Sequence, residues 1–129
     1  MDIEQIVRDE IKTAKKAMHG GDVWAHKKGL VDFSANVNPF GPSEKALKNI
    51  KESLWKLTYY PEPDSDELKK ALSEYLGVDK AHITVGNGST ELIKNFLELV
   101  IKKGDMVIIP EPTFSEYEVY SKLYGANVS

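Results

Sequence analysis

The run Ile83-Thr84-Val85-Gly86-Asn87-Gly88-Ser89-Thr90-Glu91-Leu92-Ile93 constrains this chain more than any other stretch. A short β-branched segment enters a Gly-Asn-Gly-Ser-Thr turn, and the turn opens an amphipathic helix. Glycines let a backbone approach a ligand closely, and the first N–H groups of a helix have no partner inside it. Such a turn is a seat for an anion. Two nucleotide-binding patterns do not fit it. A Walker loop needs Lys before its Ser/Thr, where Gly88 stands. The dinucleotide fingerprint G-x-G-x-x-G finds Gly86 and Gly88 but meets Glu91 at its third position. Two readings stay open here: a cup for a single phosphate, donated to by Ser89 and Thr90, or a well-capped turn without a ligand.

The organisation around this turn is helical before it and α/β after it. Residues Asp2 to Met18 predict an opening helix, with Ile3, Ile6, Val7, Ile11, Ala14 and Met18 at helical spacing. His19-Gly20-Gly21 ends it, and Leu30–Ala35 predicts a short extended piece. Asn38-Pro39-Phe40-Gly41-Pro42 must be a loop. Ser43 predicts an N-cap for a helix through about Leu57. Tyr60-Pro61-Glu62-Pro63-Asp64 predicts a second, rigid loop. Ser65 or Asp66 then caps a helix that stops at Gly77. From His82 the pattern becomes strand (Ile83–Val85), helix closed by Lys102-Lys103-Gly104-Asp105, and strand (Met106–Ile109). A helix over Ser115–Tyr124 and the start of another strand follow. The expected fold is α/β: a partial parallel sheet with flanking helices, preceded by an N-terminal helical arm. The chain reads as the front of something longer, with residues 1–42 as arm and substrate loop, 43–80 as a helical segment and 81–129 as the start of an α/β domain.

Composition narrows the partners. With 129 residues, 29% charged, and a net charge of −3 spread over interspersed residues of both signs, there is no electrostatic footprint for nucleic acid. No run approaches the roughly 20 apolar residues of a spanning helix, so no membrane segment is expected. Zero cysteines exclude disulfides and fit a cytoplasmic protein. His26 and His82 have no partners at metal-ligand spacing, and no metal site is predicted.

The motifs gain meaning from their joint order. His-Gly-Gly (19–21), Asp-Phe-Ser-Ala-Asn-Val-Asn-Pro (32–39), Tyr-Pro-Glu-Pro-Asp (60–64), Gly-Asn-Gly-Ser-Thr-Glu (86–91) and Pro-Thr-Phe-Ser-Glu-Tyr (112–117) together resemble one family. It is the N-terminal part of the fold-type I pyridoxal-phosphate enzymes of the histidinol-phosphate aminotransferase group. His-Gly-Gly, Asp-Phe-Ser-Ala-Asn and Phe-Ser-Glu-Tyr lean, within it, toward the threonine-phosphate decarboxylases, which serve cobalamin biosynthesis. The resemblance implies pyridoxal 5′-phosphate as cofactor, with Gly88, Ser89 and Thr90 on its phosphate and Phe114 stacked on its ring. It implies that Tyr60 reaches the cofactor phosphate of a neighbouring subunit in a homodimer. Asn36 would line the pocket of a phosphorylated amino-acid substrate, with His19 near the substrate's phosphate. The lysine that bonds the cofactor aldehyde, the aspartate at the ring nitrogen and the carboxylate-binding arginine lie, in relatives, beyond the equivalent of Ser129. No catalytic residue is therefore assigned, and these 129 residues alone are expected to be inactive. Three alternatives stand beside the decarboxylase: histidinol-phosphate or another class I/II aminotransferase, a non-enzymatic module for a phosphorylated metabolite, and a piece with only an assembly role.

Overall fold

The computed structural model describes residues 2–17, 20 and 29–129, which fall into two compact units. One is Met1–His19 with Thr84–Ser129, and the other is Gly20–Ile83.

The first unit is built on a helix, a parallel strand pair and the crossover helix that joins the pair. Its elements are α1 (Asp9–Thr13), α4 (Gly88–Val100), β1 (Met106–Val107), α5 (Glu116–Leu123) and β2 (Asn127–Val128). Strands β1 and β2 run parallel with Met106 opposite Asn127 and Val107 opposite Val128. Parallel strands cannot be joined by a tight turn, so α5 carries the chain back across the pair. The ladder is stitched by Asn127 N–H to Asp105 O (2.8 Å), Ser129 N–H to Val107 O (3.0 Å) and Ile109 N–H to Ser129 O (3.0 Å). Helices α1 and α4 and strand β2 all pack against α5. At the centre Leu97 of α4 is only 9% exposed, a burial that contributes about 1.5–3 kcal/mol.

Glycine sets both reversals of this unit. The helix α4 ends at Val100, and Gly104 (φ +92°) and Gly125 (φ +84°) turn the chain before each strand. A side chain at Gly125 would stand 3.2 Å from Lys103 Cγ, and Gly104 N–H bonds Gly125 O at 2.8 Å. The two turns therefore lie against each other, which holds β1 and β2 level. Tyr124 donates its hydroxyl to Glu98 Oε2 at 3.1 Å and ties α5 to α4.

The expected opening helix over Asp2–Met18 is not formed. Its described part holds a 3-10 turn, Ile3–Gln5, and the short α1, which Ala14 ends in extended geometry. Ile3 and Ile6 are exposed, so no tertiary contact repays the cost of nucleating a longer helix. The expected strand Ile83–Val85 is likewise extended but unladdered. Extended backbone becomes a strand only through a hydrogen-bonded neighbour, and this segment spans the junction of the two units.

The second unit holds α2 (Glu44–Ser53), continued by a 3-10 turn over Leu54–Thr58, and α3 (Asp66–Leu76). Leu30–Ala35 has no ladder. Gly77 closes α3 in the left-handed region (φ +69°), as its position predicts, giving its N–H to Ser73 O. The caps at the other ends differ from expectation. Neither Ser43 nor Ser65 makes a side-chain cap bond. The Glu62 carboxylate takes the N–H groups of Asp64 (3.1 Å) and Asp66 (2.7 Å) instead, and so opens α3. Lys80 reaches back to Asp66 at 2.6 Å and fastens the 3-10 turn Lys80–His82 to the start of the helix.

Burial, reinforced by the Glu98 bond, pushes the Tyr124 hydroxyl up from 10.0 to about 12. The fold thus favours the neutral phenol. Its stabilising contribution is complete below the unfolded value and disappears as pH rises through the folded one. Urea unfolding should show stability falling across that alkaline window. Tyr124→Phe should flatten the fall and cost about 1 kcal/mol at neutral pH.

Candidate functional site

The turn that opens α4 is held by three local devices. Asn87 precedes the helix and offers no side-chain cap of its own. Its N–H is taken instead by the Glu91 carboxylate, which folds back from the first turn. Gly88 N–H bonds Gly86 O at 2.9 Å, so the chain doubles back over two residues. Gly86 is closely flanked: a Cβ there would stand 3.1 Å from both Glu91 Oε2 and Leu92 Cδ2, and one of them would have to give way. Gly88 is different. It lies at φ +80° with nothing within 4 Å of where its Cβ would be.

What remains is a seat with donors and open space. The amides of Ser89 and Thr90 occupy the first turn, where helix geometry provides no acceptor. Ser89 is exposed and Thr90 half-buried, so both hydroxyls belong to the same turn as the amides. The positive end of the α4 dipole favours an anion at this place. Gly88, Ser89 and Thr90 are the first three residues of α4. Glu91, which closes the turn, was not legible in the local sequence, because an acid near any helix start gains from the dipole whether or not it also makes a bond.

Phe114 belongs to the same compact unit, on the loop between β1 and α5. It is 38% exposed and meets the Tyr117 ring edge-on at 6.3 Å. Glu116, at the start of α5, is only 3% exposed.

The other predicted residues fall in the second unit or outside the described residues. His19 is outside them. Its neighbour Gly20 lies against the segment that carries Asn36: a Cβ at Gly20 would be 3.2 Å from Ser34 Oγ and 3.5 Å from Ala35 Cβ. That segment is shaped by Asp32, whose Oδ1 takes the Ser34 hydroxyl (2.6 Å) and N–H (2.8 Å). These two bonds hold the Asp32 carboxyl below its ordinary range. Asn36 is exposed on the turn, whereas Asn38 is occupied in its own loop, bonding Gly41 O and Phe40 N–H. Tyr60 stands 94% exposed on the proline loop. Among the described residues no group of His, Cys, Asp and Glu can hold a metal ion, and no helix is long and apolar enough to cross a membrane.

Residues 28–129 match the family of class I and II aminotransferases, and the chain belongs to that family. It is similar to the histidinol-phosphate aminotransferases of Thermoanaerobacter sp. (strain X514), with 40% identity over 126 residues, and of Clostridium novyi, with 36% over 129. These matches cover 96% and 98% of this chain but 34% and 35% of the relatives, so the chain spans about a third of their length. Among solved structures it is similar to the histidinol-phosphate aminotransferase of Sinorhizobium meliloti in complex with pyridoxal 5′-phosphate. There the TM-score is 0.70 at 26% identity, over 74% of this chain and 26% of that one. The α/β fold expected from the sequence, a small parallel sheet with helices against it, is the fold of that neighbour.

Gly88→Ala separates space from backbone strain. A methyl group has room there, so its expected cost of about 1–2 kcal/mol comes from the left-handed φ alone. Denaturant unfolding should show that loss. Gly88→Asn, which tolerates the conformation better, should lose less.

Proposed function

We propose that the protein carrying this chain is a pyridoxal-phosphate enzyme acting on a phosphorylated amino acid, and that its reaction is the decarboxylation of threonine phosphate. The observation that carries the cofactor reading is the Gly88–Thr90 turn. It is an open, donor-lined helix start in a chain of the aminotransferase family, and a solved neighbour binds pyridoxal 5′-phosphate. The donor set suits a phosphate monoester: two backbone amides, two hydroxyls and a helix dipole, with no bulky side chain at Gly88. Bound there, the cofactor supplies an electron sink for the pair released when CO2 or a proton leaves the substrate.

The chain's own residues then divide the work. Gly88, Ser89 and Thr90 hold the phosphate, and Phe114 presents its exposed part to the ring. Tyr60, almost wholly exposed, reaches the phosphate bound by a second subunit, so the working form is a homodimer. Asn36 lines the substrate pocket and His19 lies near the substrate's own phosphate. Residues 1–42 serve as arm and substrate loop, 43–80 as a helical segment, and 81–129 begin the cofactor domain.

Support for decarboxylation comes from the His19-Gly20-Gly21 and Asp32–Asn36 segments, whose described parts meet at Gly20 and Ser34. The second reading, transamination of histidinol phosphate, is favoured by the names of the relatives. Assays on the full-length protein separate them. CO2 release from threonine phosphate is expected. Glutamate formation from histidinol phosphate and 2-oxoglutarate, without CO2 release, would replace this reading with the second. Phe114→Ala should weaken pyridoxal-phosphate binding by about 1 kcal/mol, roughly fivefold, and Phe114→Tyr should restore it. Absence of any pyridoxal-phosphate absorbance on the purified protein, with the cofactor in excess, would overturn the cofactor reading itself.

A further inference from the structure

We infer that Glu91 is a positioning residue for the phosphate seat, acting through the backbone of Asn87 and through the bare face of Gly86. This rests on the cofactor reading above and concerns how the seat keeps its shape.

A carboxylate one turn into the helix, next to an anion seat, is electrostatically costly if it serves only the dipole, because it repels the phosphate it adjoins. The geometry shows what offsets that cost. The Glu91 carboxylate accepts the Asn87 N–H, the last amide before the helix. It thereby removes one donor from the set facing the ligand and pins the peptide that precedes Gly88. The same carboxylate and the Leu92 side chain fill the space beside Gly86, each 3.1 Å from where a Cβ would be. With that side of the turn filled, Gly88 N–H turns inward to Gly86 O at 2.9 Å. The amides of Ser89 and Thr90 are left as the pair for which the helix provides no acceptor. The acid is therefore bonded to backbone beside Gly86, while the open space is at Gly88. Position 91 needs an oxygen acceptor of that length, and its charge is secondary.

Pyridoxine 5′-phosphate and pyridoxine isolate this effect, because neither has an aldehyde and only the first has a phosphate. Binding of each to the full-length apoprotein is measured by calorimetry. Glu91→Gln, which keeps an oxygen for the Asn87 N–H, should bind pyridoxine phosphate within about threefold of the unsubstituted protein. Glu91→Ala should lose roughly tenfold, the upper end of the scale for one ordinary hydrogen bond. Gly86→Ala should lose a similar amount by displacing the carboxylate. Pyridoxine binding should be unchanged in all three. Hydrogen exchange at the Asn87 amide should quicken in Glu91→Ala and stay slow in Glu91→Gln. Equal losses for both ligands, an unchanged phosphate preference in Glu91→Ala, or a loss in Glu91→Gln as large as in Glu91→Ala would overturn the inference. An unsubstituted protein that binds pyridoxine phosphate no better than pyridoxine would overturn the cofactor reading and this inference with it. If Glu91→Ala does not fold, the Glu91→Gln and Gly86→Ala pair decides by the same comparison.

Discussion

The first turn of α4 contains amides that the helix cannot satisfy, and the chemistry attributed to this chain follows from how they are disposed of. Most helices meet the same constraint with a Ser, Thr, Asp or Asn side chain at the cap. Here Asn87 occupies the cap position and makes no such bond. One amide goes to Glu91, one goes back to Gly86, and the next two have no acceptor within the helix. A helix start left in this state gains from an anion what a normal helix start gains from its own side chains. In α3 the Glu62 carboxylate takes the Asp66 amide of the first turn together with the Asp64 amide before the cap.

The rest of the first unit serves to hold that turn on a stiff support. Leu97 lies on the same helix, and it is the buried apolar side chain among the described residues. Helix α5 carries β1 across to β2 while packing on α4, so the aromatic pair at its start is fixed by the same contacts that fix the cradle. Ser121, fully buried on α5, accepts Ala126 N–H through its carbonyl, and this is where the helix hands the chain to β2. The paired glycine turns at 104 and 125 then set the strand level. Every one of these links is short in sequence or bonded through backbone.

That is also why parts of the structure were legible in advance and others were not. Gly77, Gly104 and Gly125 announce turns because their chemistry is local, and the bounds of α3 and α5 follow from them. The Gly88–Thr90 turn is legible for the same reason. Glu62 as the cap of α3 was not, because its carboxylate reaches over Pro63 to amides two and four residues on. Nor was the state of Ile83–Val85: β-branched residues promise extended backbone, but a ladder depends on a neighbour distant in sequence. The N-terminal arm misled through periodicity. Ile3 and Ile6 have helical spacing, yet spacing becomes a helix only when its apolar face finds something to cover it.

The same distinction bears on how finely the reaction can be read. On the proposed reading, a phosphate seat serves decarboxylation and transamination alike, since both need the cofactor held and neither outcome is decided at its phosphate. Discrimination belongs to whatever surrounds the substrate. On the proposed reading that is the Asp32–Asn36 turn and the glycine pressed against it, where Asp32 fixes Ser34 and Ser34 meets Gly20. Asn38, four residues beyond Ser34, is consumed by its own loop, whereas Asn36 is exposed. A residue larger than glycine at position 20 would push against Ser34 and disturb the one carboxylate that shapes the turn. If the proposed substrate side is right, the physical difference between the two reactions is to be sought in the backbone around Gly20 and Ser34, and the turn at α4 is common ground.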